Sequence, residues 1–173
     1  VGRLVREKGI VELLLAAHTL RRTGSLARFV IVGPADSDKA DAVDPAVIEQ
    51  ARADGVVFAG QRSDMPECYS AMDVFVTASW REGFPRAAME AAAMGLPTVA
   101  TDIRGNRQVI VDGVTGVLVP VRDDQALGRA VAAVCAHRPF DREQIIRHAR
   151  ATLDQRRLLD ITREQIEPVA KRG

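Results

Sequence analysis

An α/β fold, with a parallel sheet covered by helices on both faces, is what this 173-residue chain predicts. Three observations carry that expectation. Short β-branched apolar runs alternate with segments of helical period along most of the sequence. Their spacing matches successive strand–helix units joined by right-handed crossovers. One strand–loop–helix junction near the middle is spelled out by its residues: Asp73-Val74-Phe75-Val76-Thr77 leads into Ser79-Trp80-Arg81-Glu82-Gly83-Phe84-Pro85-Arg86, and an Ala/Met-rich segment then ends at Gly95.

Taken in order, residues 1–4 read as the end of a strand that implies an upstream partner. Residues 9–22 carry a helical stripe of Ile10, Leu13, Leu14, Ala17 and Leu20. Residues 28–32 form a short strand of buried type. A polar loop through Gly33-Pro34-Ala35 follows, then a helix over 45–53. Residues 56–59 are the next strand and 65–72 a short helix with Pro66 near its start. After the central junction come a strand over 98–101, a helical turn over 106–110, and a short strand over 117–119 bounded by Gly116 and Pro120. Asp123 caps a helix to about Ala136, and Asp141 another through Thr152. The whole is a Rossmann-like half. Domain limits follow: residues 1–152 form one ligand-binding domain, and the polar 153–173 segment is a helical tail.

At the junction, Pro85 suits the first helical position and Gly95 the residue just past the helix end. Free backbone N–H groups and the positive end of a helix dipole therefore stand at the C-terminal edge of the sheet, where anionic groups bind well. Two carboxylates lie on this junction eight positions apart, Glu82 in the loop and Glu90 within the helix.

This spacing, with Gly83-Phe84-Pro85 inside it and Gly95-Leu96-Pro97 after it, resembles the Glu-x7-Glu motif of retaining nucleotide-sugar glycosyltransferases, and more narrowly family 4 (group 1) of the GT-B fold. Other landmarks fall in the family's order: Val1-Gly2-Arg3-Leu4 with Lys8-Gly9, Val30-Ile31-Val32-Gly33, Val57-Phe58-Ala59-Gly60 and Gly113-Val114-Thr115-Gly116. The likeness runs to about residue 136. The wording around Arg81 to Arg86 and Gly105-Asn106-Arg107 is similar to members that build bacterial capsular and other exopolysaccharides. Gln108, where many relatives carry Glu, and Gly33-Pro34-Ala35, in place of Gly-x-Gly, depart from the pattern.

The resemblance implies the C-terminal, donor-binding half of a GT-B enzyme, with a role for each site residue. Arg3 and Lys8 would hold the diphosphate leaving group and stabilise its developing charge, so that no metal or other cofactor is needed. Read from charge alone they are two solvated surface cations. Glu82 would face the donor sugar, where an oxocarbenium-like transition state gathers positive charge, while the Gly83 and Phe84 N–H groups hold sugar or phosphate. Its plainer role is a helix-mouth acid favoured by the dipole. Glu90 would accept hydrogen bonds from the nucleotide ribose, or pair within the helix with Arg86. Arg86 would reach a phosphate or pair with Glu82 or Glu90. Arg62 stands on the loop that would meet the nucleobase, where Ser63 or Asp64 equally suits a helix cap.

A formal net charge of +1 gives no nucleic-acid footprint, and no apolar run approaches membrane-spanning length. Cys68 and Cys135 read as reduced core thiols, and the three histidines show no ligand spacing. The expected setting is cytoplasmic, with the full-length enzyme peripheral at the inner face of the membrane. Expected partners are a UDP-, GDP- or ADP-sugar donor, an N-terminal GT-B domain of the same enzyme, onto which the tail would pack, and a glycan or lipid-linked acceptor. This fragment alone would bind nucleotide without turnover. Rival readings are a nucleotide-sugar epimerase or phosphorylase on the same fold, and a non-catalytic nucleotide-binding module. A glycosidase-like carboxylate pair is disfavoured by placing one Glu in a loop and the other deep in a helix. A dinucleotide dehydrogenase lacks its Gly-x-Gly-x-x-Gly.

Overall fold

Alternation of apolar side chains decides the layering. A computed structural model describes residues 1–35 and 40–153; the predicted tail lies, beyond Leu153, outside them. Five strands are present among these residues: β1 Val30–Val32, β2 Val57–Gly60, β3 Phe75–Thr77, β4 Thr98–Thr101 and β5 Gly116–Val119. All pairings between them are parallel, with Phe75 opposite Thr98 and Val99 opposite Val117. Seven helices alternate with them: α1 Ile10–Arg22, α2 Pro45–Ala53, α3 Met65–Ser70, α4 Arg86–Ala93, α5 Arg104–Arg107, α6 Asp124–His137 and α7 Arg142–Leu153.

Helices cover both faces of the β3–β4–β5 sheet. Phe75, Ala100 and Leu118 face Ala88, Ala91 and Ala92 of α4 and Ile145 and Ala149 of α7. One residue along each strand, Val76, Val99, Val117 and Val119 face Ala16 and Leu20 of α1 and Leu127, Val131 and Val134 of α6. Every residue of β4 is buried. Two-sided burial is what a parallel sheet requires, and it explains why these strands read as unbroken apolar runs. A third cluster joins Ile31 and Val56 to Ile10 and Leu14 of α1 and Ala51 of α2.

Several sequence expectations are corrected. The strands form two sheets, β1–β2 and β3–β4–β5, without hydrogen bonds from one to the other. Between them lies a cavity of about 820 Å³ walled by Val30 and Ile31 on one side and Phe75, Val76 and Thr77 on the other. Residues 1–4 are not a strand. Gly2 N donates to Val32 O (2.8 Å) and Leu4 N to Pro34 O (3.1 Å), so this stretch follows the end of β1 without forming a ladder. Pro85 is the residue before α4 rather than its first member, since its φ, ψ of −81°, 72° are not helical. The turn predicted over 106–110 starts earlier, at Arg104. The cysteines are both free, but Cys135 is exposed and Cys68 only partly covered, so neither is a core thiol. Asp123 caps α6 as expected, accepting from Ala126 N at 2.8 Å.

The start of α1 is fixed by Gly9. Its φ of +66° is left-handed, and a Cβ there would stand 1.9 Å from the Ala78 carbonyl oxygen, just past β3. The chain therefore crosses the mouth of the β3–α4 loop at backbone contact. Gly9→Ala adds left-handed strain to a clash with rigid backbone, and should cost about 2–4 kcal/mol. Thermal unfolding of the variant is expected to show the loss as a clear drop in Tm.

Candidate functional site

In a parallel sheet, the loops that leave the C-terminal strand ends all open on one edge. Four of them matter here. The β1 end lies against residues 2–4, and the loop after β2 carries Arg62. The loop after β3 carries Ser79 to Pro85, and the loop after β4 leads into α5. Lys8 joins this edge because a 3₁₀ turn over Arg6–Lys8 ends at Gly9, directly against Ala78.

The β3–α4 loop is tied down from three sides. Trp80 N donates to Glu7 O (2.9 Å) and Trp80 Nε1 to Glu12 Oε1 (2.9 Å), which binds it to the start of α1. Arg122 lies 4.0 Å above the Trp80 ring, a cation–π contact. From β4, Thr101 Oγ1 donates to Ser79 O at 2.5 Å, and fully buried Asn106 donates to Thr101 O at 2.8 Å. From α5, Gly105 comes so near that a Cβ would lie 2.3 Å from Glu82 O. Glu82 is thus a loop residue with a fixed backbone.

Its side chain is fixed as well. Glu82 Oε1 accepts from Lys8 Nζ, and also from Ser79 Oγ at 3.0 Å. Both ends of the Lys8–Glu82 pair are largely shielded from solvent. Alongside, Arg81 pairs with Glu7, and this hydrogen bond holds the Glu7 carboxyl below its usual range. Arg3, Lys8, Glu82 and Gly83 line one open hollow of about 380 Å³ with Glu7 and Arg81 at its wall. Among the described residues, the Gly83 and Phe84 N–H groups meet no protein acceptor. Three cations, two acids and unpaired amides at a strand edge suit a ligand with anionic and hydroxyl groups.

A family model described as glycosyl transferases group 1 matches residues 1–137. The chain belongs to the group 1 glycosyltransferases. It is 39% identical over 133 residues to an alpha-maltose-1-phosphate synthase of Mycobacterium tuberculosis, covering 74% of this chain and 34% of the relative. It is 28% identical over 168 residues to the Staphylococcus aureus capsular polysaccharide biosynthesis glycosyltransferase CapM, covering 96% and 43%. Among solved structures, the pneumococcal O-GlcNAc transferase GtfA in complex with UDP and GlcNAc superposes with a TM-score of 0.77 at 26% identity, covering 98% of this chain and 35% of that one. The chain therefore spans between a third and a half of the length of these two curated relatives.

Within this group 1 glycosyltransferase the predicted site residues separate into two sets. Arg3, Lys8, Glu82 and Gly83 converge on the hollow. Phe84 is 51% exposed beside it. Glu90 is outside the lining: it stands exposed on α4, where Tyr69 Oη donates to its Oε2 at 2.8 Å. Arg86 is exposed and pairs with neither acid among the described residues; Glu82 is held by Lys8 and Ser79, and Glu90 by Tyr69. Arg62 is engaged by Asp64 in an exposed two-point ion pair, Nε to Oδ1 at 2.8 Å, and the Asp64 side chain makes no helix cap. Gln108 is an exposed residue at the end of α5. Sequence reasoning missed Ser79, Glu7, Arg81 and Tyr69. The first three lie in or beside quoted motifs, but nothing local says which acid faces which cation. Tyr69, the chain's one tyrosine, carried no such signal.

The anchors of the loop should differ in weight. Trp80→Phe removes the donor to Glu12, whose buried Oε2 already has no partner among the described residues. The variant should lose about 1–3 kcal/mol in urea unfolding. Arg81→Ala breaks only a solvent-exposed pair and should leave the midpoint unchanged.

Proposed function

We propose that residues 1–152 are the nucleotide-sugar (donor) binding domain of a retaining glycosyltransferase, of a type serving bacterial surface polysaccharide synthesis. The observation that carries this reading is the convergence of Arg3, Lys8, Glu82 and the free Gly83 amide on one hollow at the C-terminal strand edge. The complex of GtfA with UDP makes UDP the first nucleotide to try.

In this reading a diphosphate enters with its oxygens toward Lys8 and Arg3. An ammonium has three donors, so Lys8 can keep its bond to Glu82 and still bind a phosphate oxygen. As the sugar–phosphate bond breaks, negative charge builds on the leaving group, where Lys8 and Arg3 lower its energy. Glu82, held by Lys8 and Ser79, stands on the sugar side, near the positive charge of an oxocarbenium-like transition state. The acceptor would attack from the face the phosphate leaves, the leaving phosphate taking its proton, so the anomeric configuration is kept. The protein's cations do the work a metal would otherwise do. The acceptor, a glycan or lipid-linked sugar, and the N-terminal domain that would bind it belong to the longer enzyme, acting in the cytoplasm at the inner face of the membrane.

Calorimetry with UDP, GDP and ADP on this chain tests the reading. One of the three is expected to bind, and Lys8→Ala should weaken it about 10- to 100-fold through loss of a charge-assisted hydrogen bond. Glu90→Ala should also weaken it. The chain alone should hydrolyse or transfer no sugar, and turnover should need both the acceptor-side domain and an acceptor. Product formed without acceptor would point to an epimerase instead.

A further inference from the structure

Tyr69 is the residue to which the proposed chemistry assigns nothing, and it is placed with unusual care. It is 2% exposed, its ring lying in the cluster of Ala88, Ala91 and Ala92 and tilted against Phe75 with centroids 6.0 Å apart. The ring is thus locked by packing. Its hydroxyl emerges where α4 turns its exposed face outward and donates to Glu90 Oε2 at 2.8 Å. Burial first, and then the Glu90 carboxylate, push the phenol's pKa up, so it remains a proton donor across any working pH.

A glutamate on an exposed helix face ordinarily samples many rotamers, and freezing it on ligand binding costs up to about 2 kcal/mol. Here a rigid donor has already chosen one. Glu90 Oε1 has no protein donor among the described residues, and Oε2 keeps lone-pair capacity beyond the Tyr69 bond. A carboxylate held this way presents two acceptors at fixed spacing, the complement of two adjacent hydroxyls.

Building on the donor-binding reading, we propose that Tyr69 is a positioning residue that presets Glu90 to read the vicinal diol of a ribose, making the site selective for ribonucleotides over 2′-deoxyribonucleotides. Tyr69 itself touches no ligand. It acts by sparing Glu90 the ordering cost, and only for ligands that offer both hydroxyls.

The test is calorimetry of the UDP/dUDP, GDP/dGDP and ADP/dADP pairs against wild type, Tyr69→Phe, Glu90→Ala and the double variant. Tyr69→Phe keeps the buried ring, and thermal unfolding reports on its fold. Wild type should prefer the ribonucleotide, and Tyr69→Phe should narrow that preference at least about 3-fold while leaving deoxynucleotide affinity unchanged. In the Glu90→Ala background, Tyr69→Phe should change nothing further. Equal weakening of both members of a pair would mean a purely structural role and overturn the proposal. So would a wild type that binds ribo- and deoxynucleotides alike, although the donor site would then stand. Binding of none of the six would sink the donor-site reading itself, and this proposal with it.

Discussion

The close passage of Gly9 over the Ala78 carbonyl is the constraint on which the site depends. A side chain at position 9 would hold the start of α1 away from the β3–α4 loop. With the gap closed, Lys8 reaches Glu82 across 74 positions of sequence, and Trp80 reaches back to Glu7 and Glu12. Charge attraction alone would not hold such a pair, because solvent screening leaves most surface ion pairs with little net effect. The backbone contact supplies the geometry, and the ion pair then orients the side chains within it.

Behind the loop stands a core that leaves it no freedom. β4 is buried on both faces, and Thr101 at its end donates to Ser79 O, while Asn106 of α5 donates in turn to Thr101 O. Buried hydrogen bonds of this kind are costly to break, since each leaves an unpaired group away from water. Gly105 adds a steric stop against Glu82 O. A loop held by a sheet end, a helix start and a buried polar relay keeps the Lys8–Glu82 pair in place, the preorganisation that the proposed electrostatic role requires.

The two acids of the Glu-x7-Glu spacing prove to live in different surroundings. Glu82 is drawn inward by Lys8 and Ser79 and shares a hollow with Arg3. Glu90 is exposed, and a phenol from a separate helix steadies it. One carboxylate sits in a field of cations and the other beside a neutral donor. This suits two different parts of one ligand better than two sides of one bond.

By itself the sequence determined the α/β class, most of the helix and strand positions, the family, and the loop that carries the candidate residues. These are local properties. Apolar period sets the elements, Asp123 caps a helix through bonds to its own neighbours, and Gly95 ends one through its left-handed backbone. Only the tertiary structure decided that Lys8 meets Glu82, that the strands fall into two sheets, and that Tyr69 holds Glu90. Those outcomes depend on how α1 and α3 pack beside a sheet built from distant strands. A run of residues states its own period, but it does not state the neighbour that packing will bring to it.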